Sequence, residues 1–285
     1  MRRIGIVLAL FTLAPALSAQ DQPPSARDEP PSTQEPPPPA PEQTPPPPHR
    51  GFFGDLVHDE AVMWTSPARI RAKDLAWLLP LGGATAALIA TDASTAAKVS
   101  NDPSQLHTSR VISYGGEAYS TFGAAGLLFL GGAAFKDDHA RHVGQYAIEA
   151  GVDAVVVVEV LKLLGRERPL VGDGQGRFFK GGNSFPSGHA ILAWSLAGVA
   201  AGEYPHPLVK VVAFSYATAI SVARFTGRSH FGSDVLVGSS LGYMIGHFVV
   251  KEHHSQERPP RPSAHFELTP FVSGRGVGVA LNAEF

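Results

Sequence analysis

Three short segments in the second half of the chain concentrate cations, histidines and a carboxylate at spacings that could do chemistry. The first segment places three cations, Lys162, Arg166 and Arg168, within seven residues, around a predicted helix end at Gly165. Guanidinium groups suit two-point binding of phosphate, and lysine adds a point charge. Cations at a helix C-terminus also complement the helix dipole, so this segment alone leaves both interpretations open.

The second segment is Pro186-Ser187-Gly188-His189, which comes directly before an apolar helical run. Ser187 occupies a predicted N-cap position, and Gly188 allows a ligand to approach the backbone closely. The free N–H groups of a helix start bind anions, and His189 on the first turn can exchange a proton with the bound group. A capped helix that happens to contain a histidine is the alternative.

The third segment runs from Arg224 through Gly227 to His230 and Asp234. His230 and Asp234 are four residues apart and share one face of a helix, so the carboxylate can hold one imidazole nitrogen and fix the tautomer. Arg224 precedes the break at Gly227 and can fold back to the same place. An incidental ion pair is the alternative.

The three segments together supply every part of a phosphoryl-transfer site that needs no metal. Cations neutralise the phosphate oxygens, one histidine attacks phosphorus, and the other protonates the leaving oxygen. Asp137, Asp138, His139 and His142 also cluster, but we interpret them as a charged turn between helices. The sequence therefore predicts no metal site.

The composition excludes several classes of function. The chain of 285 residues has no cysteine, which excludes disulfides, zinc–thiolate sites, iron–sulfur clusters and cysteine nucleophiles. Lys and Arg number 23 against 25 Asp and Glu, whereas a protein that binds nucleic acid normally shows a basic excess. Nucleic acid is therefore not an expected partner.

The N-terminal region has the pattern of an export signal followed by a tether. Residues 1–19 combine a basic start, an apolar run and small residues for cleavage after Ser18 or Ala19, as in a signal peptide. An uncleaved anchor is the alternative, although the run is shorter than the roughly 20 residues of a span. Residues 20–50 hold 13 of the 25 prolines, which predicts a disordered linker. We expect export to the periplasm or cell envelope.

The rest of the chain is predicted to form an all-α bundle of about six core helices in a domain over 51–255. A short helix is also predicted over 55–65. The tail over 256–285 contains two alternating segments around a Ser-Gly-Arg-Gly turn, which predicts a short C-terminal β-hairpin. The six core candidates cover 74–92, 110–135, 140–164, 188–203, 207–226 and 231–251.

Hydropathy leaves the relation to the membrane open. Only two uncharged runs, Leu75–Thr91 and Ala118–Phe135, approach the length of a bilayer span. The helices are rich in Gly and Ala, and Gly238, Gly242 and Gly246 form a stripe suited to close helix packing. We therefore favour an extracytoplasmic bundle that rests on the membrane over a polytopic membrane protein.

The three segments resemble the signature motifs of the type-2 phosphatidic acid phosphatase / vanadium haloperoxidase superfamily, which are K-x6-R-P, P-S-G-H and S-R-x5-H-x3-D. The second segment matches fully, and the third matches in spacing, with Ala223 in place of serine. In the first, Lys162 is one residue too close to Arg168-Pro169, and Arg166 could take part of the role of the lysine. The motifs occur in the expected order over 162–234, and the helical pattern extends the resemblance over 55–252.

The resemblance implies an all-α fold and a role for each matched residue. His230 would be the nucleophile that forms a phosphohistidine, and Asp234 would orient and charge it. His189 would be the general acid for the leaving alcohol and then the base for water. The phosphate oxygens would be held by Lys162, Arg168, Ser187, Gly188 and Arg224.

The expected function is a metal-independent phosphatase without a cofactor. Its substrates would be lipid phosphates such as phosphatidate or isoprenyl diphosphate, or soluble phosphate esters, and association with a membrane stays open. One alternative is a vanadate-dependent haloperoxidase, because vanadate mimics the phosphoryl transition state in the same pocket; in a phosphatase vanadate would be an inhibitor. The other alternative is a non-catalytic envelope protein that binds lipid phosphate.

Overall fold

The computed structural model describes residues 51–256, 265–273 and 276–284. The predicted all-α bundle is confirmed, while the predicted signal peptide and linker, residues 1–50, lie outside the described residues. Two antiparallel strands, β1 (His265–Ser273) and β2 (Gly276–Glu284), pair from His265 opposite Glu284 to Ser273 opposite Gly276. Within the described ranges the helices are α1 (Phe52–Thr65), α2 (Leu75–Lys98), α3 (Pro103–Ser113), α4 (Ala118–Phe135), α5 (Asp138–Leu161), α6 (Gly188–Glu203), α7 (Pro207–Thr226) and α8 (Gly232–Gln256).

The helix predicted over 110–135 is in fact two helices. The first, α3, begins after Asp102, whose carboxylate caps it by accepting a hydrogen bond from a backbone N–H of the first turn. A short 3-10 turn, Tyr114–Gly116, then leads to α4. A Cβ on Gly116 would lie 2.7 Å from the side chain of Ile220, so only glycine fits where this turn meets α7. The break is a matter of tertiary packing, which the apolar pattern does not record.

The glycine stripe on α8 packs directly against α6, as the sequence predicted. A Cβ on Gly242 would lie 2.2 Å from the carbonyl oxygen of Ile191, and one on Gly246 would lie 2.1 Å from that of Ser195. Any side chain at these positions would push the two helices apart. Since the second sequence segment opens α6 and the third opens α8, the stripe sets the distance between the two.

The core lies between α5, α6 and α8 and is built from small and branched side chains. Ala150, Ala154, Ile191 and Val249 are completely buried there. By contrast, α2 buries only Asp92 and Ala96. The outer helices therefore present most of their apolar surface away from the core.

In the part of the chain that the structure describes, four helices are long and apolar enough to cross a membrane by their length and composition: α2 with the turn before it (Ala72–Lys98), α4, α7 and α8. Their apolar side chains point outward, as for Leu79 at 67% and Leu127 at 75% exposure. So large an exposed apolar surface is typical of a protein in contact with lipid. The structure therefore corrects the preference for a bundle outside the membrane, and supports a membrane-embedded one.

One end of the bundle collects the segments that carry chemistry. α5 and α7 end there, and α6 and α8 begin there. The backbone N–H of Ser187, before α6, donates to the carbonyl of Asp234 in the first turn of α8 at 3.0 Å. Side chains from α2 and from the residue before α4 reach the same place. Helix packing thus assembles a polar site from parts that are distant along the chain.

Candidate active site

His230 is held in a tight loop between α7 and α8. The carbonyl oxygen of Arg224 accepts hydrogen bonds from the N–H groups of Ser229 and His230, which folds the loop back on the end of α7. The side chain of His230 is almost fully buried, and its Nδ1 lies 2.7 Å from the carbonyl oxygen of Ser184. Because a carbonyl only accepts, Nδ1 carries the proton, and Nε2 is the nitrogen with a lone pair for a ligand.

Asp234 lies beside His230 without holding it directly. Its Oδ2 is 3.8 Å from Nδ1 of His230, beyond hydrogen-bond distance, and instead accepts from the hydroxyl of Ser184 at 2.6 Å and from the N–H of Phe231 at 2.9 Å. The expectation that the carboxylate fixes the tautomer therefore needs revision. The Ser184 carbonyl fixes it, and Asp234 supplies negative charge and holds the loop.

Arg166 is the centre of a buried polar network and does not face a ligand. Its Nε–H donates to the carbonyl of Gly176 at 3.0 Å, and its terminal nitrogens donate to Ser233, Asp234 and Asp92. The guanidinium also lies over the rings of Phe178 and Phe231. With every nitrogen engaged and 1% of the residue exposed, Arg166 cannot take over phosphate binding from Lys162.

Asp92 is a site residue that sequence reasoning missed. It comes from α2, accepts from Nη2 of Arg166 at 2.8 Å, and also accepts from the N–H of Ser233 at 3.2 Å. It therefore ties α2 to the start of α8. The available signal was its position, since Asp92 directly follows the uncharged run Leu75–Thr91.

Ser187 and Gly188 leave open space at the start of α6. Ser187 stands at the N-cap position, but its side chain makes no capping hydrogen bond. Its Oγ is buried and has no partner among the described residues. A Cβ on Gly188 would meet only Val158, at 3.9 Å. The hydroxyl and the first N–H groups of α6 are thus free to bind an anion.

His189 is paired with a carboxylate that the sequence did not reveal. Its Nε2 lies 2.8 Å from Oε1 of Glu117, which stands before α4 and 72 positions away along the chain. Burial lowers the pKa of His189 to about 4, Arg224 acts in the same direction, and Glu117 opposes both. No local pattern around Glu117 could have predicted this contact, because it depends on how α4 and α6 pack.

The two arginines surround the histidines with positive charge. Arg168 is oriented by its Nε–H, which donates to Asn183 at 2.9 Å, and Arg224 has a buried Nε without a partner among the described residues. Burial lowers the pKa of His230, Asp234 opposes this effect, and Arg224 and Arg168 add to it. Two imidazoles beside two cations form a site suited to a phosphate group, with the free Nε2 of His230 available as a nucleophile.

Lys162, like Arg166, does not face the site. Its ammonium group forms an ion pair with Glu159, one turn earlier at the end of α5. Lys162 also opens a short 3-10 turn, Lys162–Leu164, at the point where the first motif is one residue short. Arg168 and Arg224 therefore carry the cationic part of the site.

The glycine-rich segment 171–182 is packed beneath the site. Gly176 has φ +62°, and a Cβ there would lie 2.3 Å from the ring of Phe231. A Cβ on Gly182 would lie 2.1 Å from the carbonyl oxygen of Arg166. The glycines are needed because this segment closes over the Arg166 network. Within the described residues, no group of three or more His, Asp or Glu could hold a metal ion.

Comparison with protein families agrees with this site. Residues 147–258 match the model of the PAP2 superfamily. That range contains all three sequence segments, while Asp92 and Glu117 lie before it. Residues 147–258 are therefore similar to the PAP2 superfamily, the family whose motifs the sequence resembles.

Individual relatives match over limited parts of the chain. A lipid A 1-phosphatase from Porphyromonas gingivalis is 33% identical over 66 residues, which is 22% of this chain and 15% of that protein. The crystal structure of Aquifex aeolicus LpxE is 25% identical, covers 53% of this chain and 88% of its own, and has a TM-score of 0.43. A transmembrane PAP2-type phosphatidylglycerolphosphate phosphatase from Bacillus subtilis is 20% identical, covers 74% and 97%, and has a TM-score of 0.47.

Proposed function

We propose that this protein is a membrane-embedded phosphatase that removes phosphate from lipid phosphates through a phosphohistidine on His230, without a metal or other cofactor. The observation that carries the proposal is the state of His230. Its Nδ1–H donates a hydrogen bond to the Ser184 carbonyl, so Nε2 keeps a lone pair. Burial and the two nearby arginines lower the pKa of the His230 imidazole.

In the first step, Nε2 of His230 attacks the phosphorus atom and the bond from phosphorus to the ester oxygen breaks. The leaving oxygen takes a proton from His189. The phosphorylated ring of His230 carries positive charge, which Asp234, 3.8 Å from Nδ1, stabilises. Arg168 and Arg224 neutralise the charge that develops on the phosphate oxygens, together with the Ser187 hydroxyl and the N–H groups at the start of α6.

In the second step, water attacks the phosphohistidine and gives a proton to His189. The P–N bond breaks, inorganic phosphate leaves, and His230 returns to its neutral form. Glu117 supports His189 in both steps, because its carboxylate raises the pKa of the imidazole against the effect of burial. Without this carboxylate, His189 would hold its proton even more weakly.

Two features support a lipid substrate. Among the described residues, four helices have the length and composition to cross a membrane, which supports a site that acts on lipid headgroups. A relative that matches over 66 residues is named for dephosphorylation of a lipid. The signal peptide and the location in the cell envelope belong to the same proposal, and N-terminal sequencing of the mature protein checks cleavage after Ser18 or Ala19.

The test compares phosphate release by the wild type and His230→Ala, with EDTA present, on a soluble aryl phosphate and on detergent-dispersed phosphatidate. We expect turnover that EDTA does not affect, a preference for phosphatidate, and complete loss in His230→Ala. Rapid quenching with radiolabelled substrate should trap an alkali-stable, acid-labile phosphoprotein. His139→Ala, which removes a half-exposed imidazole, is the matched control.

Three results would contradict the proposal. Turnover lost with EDTA would remove the metal-independent mechanism. Turnover retained by His230→Ala would remove the nucleophile. Folded wild-type protein that releases no phosphate from either substrate, but oxidises halide when vanadate is added, would replace a phosphatase by a haloperoxidase.

A further inference from the structure

The first helix of the bundle, α1, directs acidic side chains towards the other helices. The only residues that α1 buries are Asp55 and Asp59. Phe53 and Val57 are 80% and 73% exposed, whereas Met63, in the last turn, packs against the core. A helix on the surface of a bundle normally buries its apolar face. The contact of α1 with the bundle must therefore be explained by what surrounds these two carboxyl groups.

The carboxyl groups of α1 face further acidic residues. Asp59 lies against Glu149 of α5 and near Glu252 of α8, and Asp153 of α5 lies near Asp59, Glu60 and Glu149. Two imidazoles offset part of this negative charge: His253 contacts Glu149 at 2.9 Å, and His58 contacts Glu252 at 3.3 Å. The groups of this carboxyl cluster are Asp55, His58, Asp59, Glu60, Glu149, Asp153, Glu252 and His253.

Two members of the carboxyl cluster have no hydrogen-bond donor among the described residues, and the charge of Asp59 is offset in part by the imidazole of His253. Asp59 is 1% exposed and Asp153 is fully buried, and neither oxygen of either side chain receives a hydrogen bond from the described residues. A buried carboxylate without a partner is strongly disfavoured in its charged form. Two carboxyl groups in contact, such as Asp59 and Glu149, can be joined by a hydrogen bond only when one of them carries a proton.

We propose that the carboxyl cluster is a buried proton-binding site, and that protons bound at Asp59 and Asp153 hold α1 against α5 and α8. The ligand is the proton itself, because within the described residues the cluster does not have the geometry of a metal site. This inference does not depend on the proposed phosphatase activity, since it concerns the opposite end of the bundle from the phosphate-binding residues.

The direction of the pH effect follows from linkage. Burial raises the pKa of Asp59 from 3.8 to about 7 and that of Asp153 to about 8, and the neighbouring carboxylates add to both shifts. The docked state therefore binds more protons than the undocked state at intermediate pH. Docking is strongest at low pH, weakens as the pH rises from about 4 to about 8, and then levels off.

Release of α1 would also open an apolar pocket. Met63 and Trp64 of α1 form one wall of this pocket, and Leu161 of α5 and Phe248 of α8 form others. Leu161 directly precedes the first sequence segment along the chain. Protonation would thus decide whether this pocket is closed by α1.

The test is hydrogen–deuterium exchange of the segment 52–65, in the full chain in detergent, corrected for the intrinsic pH dependence of exchange. We expect its protection to fall at least about tenfold between pH 5 and pH 8, because each titrating group can weaken docking by up to about tenfold per pH unit. The double variant Asp59→Asn/Asp153→Asn should show little pH dependence. Asp138→Asn, which removes an exposed carboxylate of α5, should behave like the wild type.

Three outcomes would overturn the proposal. In the first, protection of the wild-type segment is constant from pH 5 to pH 8, a measurement that needs no variant to fold. In the second, the double variant retains the wild-type pH dependence. In the third, millimolar Na⁺, Mg²⁺ or Ca²⁺ restores protection at pH 8, which would identify the ligand as a metal cation.

Discussion

At the end of the bundle where α5, α6, α7 and α8 meet, the buried guanidinium of Arg166 is paired with Asp92 and Asp234. Beneath α1, by contrast, the buried carboxyls of Asp59 and Asp153 receive no hydrogen bond from the described residues. Both regions bury charged residue types almost completely. In the first region the charged groups pair with opposite charges and hydrogen-bond donors. In the second region the carboxyl groups lie next to other carboxyl groups.

Buried charged groups therefore act in two different ways in this bundle. A network in which every group is paired has one arrangement, and so it can hold His230 at a fixed position. A group of unpaired acids is stable only when protonated, and so its stability depends on pH. The same residue type, aspartate, is therefore expected to have opposite effects on stability in the two regions.

The largest effect is expected for Asp92→Asn, which removes charge from the paired region. Arg166 would keep only Asp234 as a carboxylate partner, and breaking a buried ion pair costs about 3 kcal/mol or more. We expect the free energy of unfolding to fall by about that amount at pH 7, measured by thermal or denaturant unfolding in detergent. Asp102→Asn, at an exposed helix cap, is the control. Equal losses in the two variants would mean that the Arg166 network adds no special stability.

Asp59→Asn should have the opposite sign, with a smaller magnitude. The raised pKa of Asp59, about 7, means that its charge destabilises the folded protein increasingly as the pH rises from about 4 to about 7. Asparagine has no charge, so the variant should be more stable than the wild type by about 2 kcal/mol at pH 8; the gain should be less than half as large at pH 5 and approach zero only below about pH 4. Unfolding curves at the two pH values give this comparison. A variant that is less stable than the wild type at pH 8 would show that the carboxylate is compensated after all.

The variant Glu117→Gln tests a paired carboxylate within the active site itself. Removing the carboxylate should lower the pKa of His189 further, so a smaller fraction of this general acid is protonated at a given pH. We expect the limb of the kcat/KM profile on which His189 loses its proton to move to lower pH by about one unit, with about tenfold less activity above it. Glu117→Asp keeps the charge and should restore part of the profile. A uniform loss at every pH would instead indicate that Glu117 only stabilises the fold.

The smallest effect is expected for Lys162→Ala. Its ion pair with Glu159 lies at the protein surface, where such pairs contribute about 0.5 kcal/mol or less. Unfolding and kcat/KM should change little, whereas Arg168→Ala should lower kcat/KM about a hundredfold because it removes a charge from the transition state. If the two variants lose equal activity, Lys162 turns into the site when substrate binds.

The bundle and most of the site could be predicted from the sequence because both produce patterns among neighbouring residues along the chain. Apolar runs separated by Gly and Pro gave five of the six core helices to within a few residues. The sixth failed at Tyr114–Gly116, where contact with Ile220 breaks the chain into two helices. The motif spacings also predicted that His189, Arg168, Arg224 and His230 belong to one site, and the structure brings these side chains close to one another.

The remaining site residues were beyond local patterns. Lys162 is the residue type that the first motif requires, although the motif is one residue short. In the structure its ammonium group pairs with Glu159. Arg166, two positions before the matched arginine, became the buried centre of the network because the glycine-rich segment closes over it. Glu117 shows no sequence signal, because its distance from His189 depends on the packing of α4 and α6.

Residue identity and spacing within a few turns were enough to predict the helical class and the resemblance to the PAP2 superfamily. The tertiary structure alone decided which groups are buried and with which partners. That is why the Ser184 carbonyl, and not Asp234, fixes the tautomer of His230, and why Asp92 is paired while Asp59 is not. Burial changes the energy of a charge by several kcal/mol, and only packing determines burial.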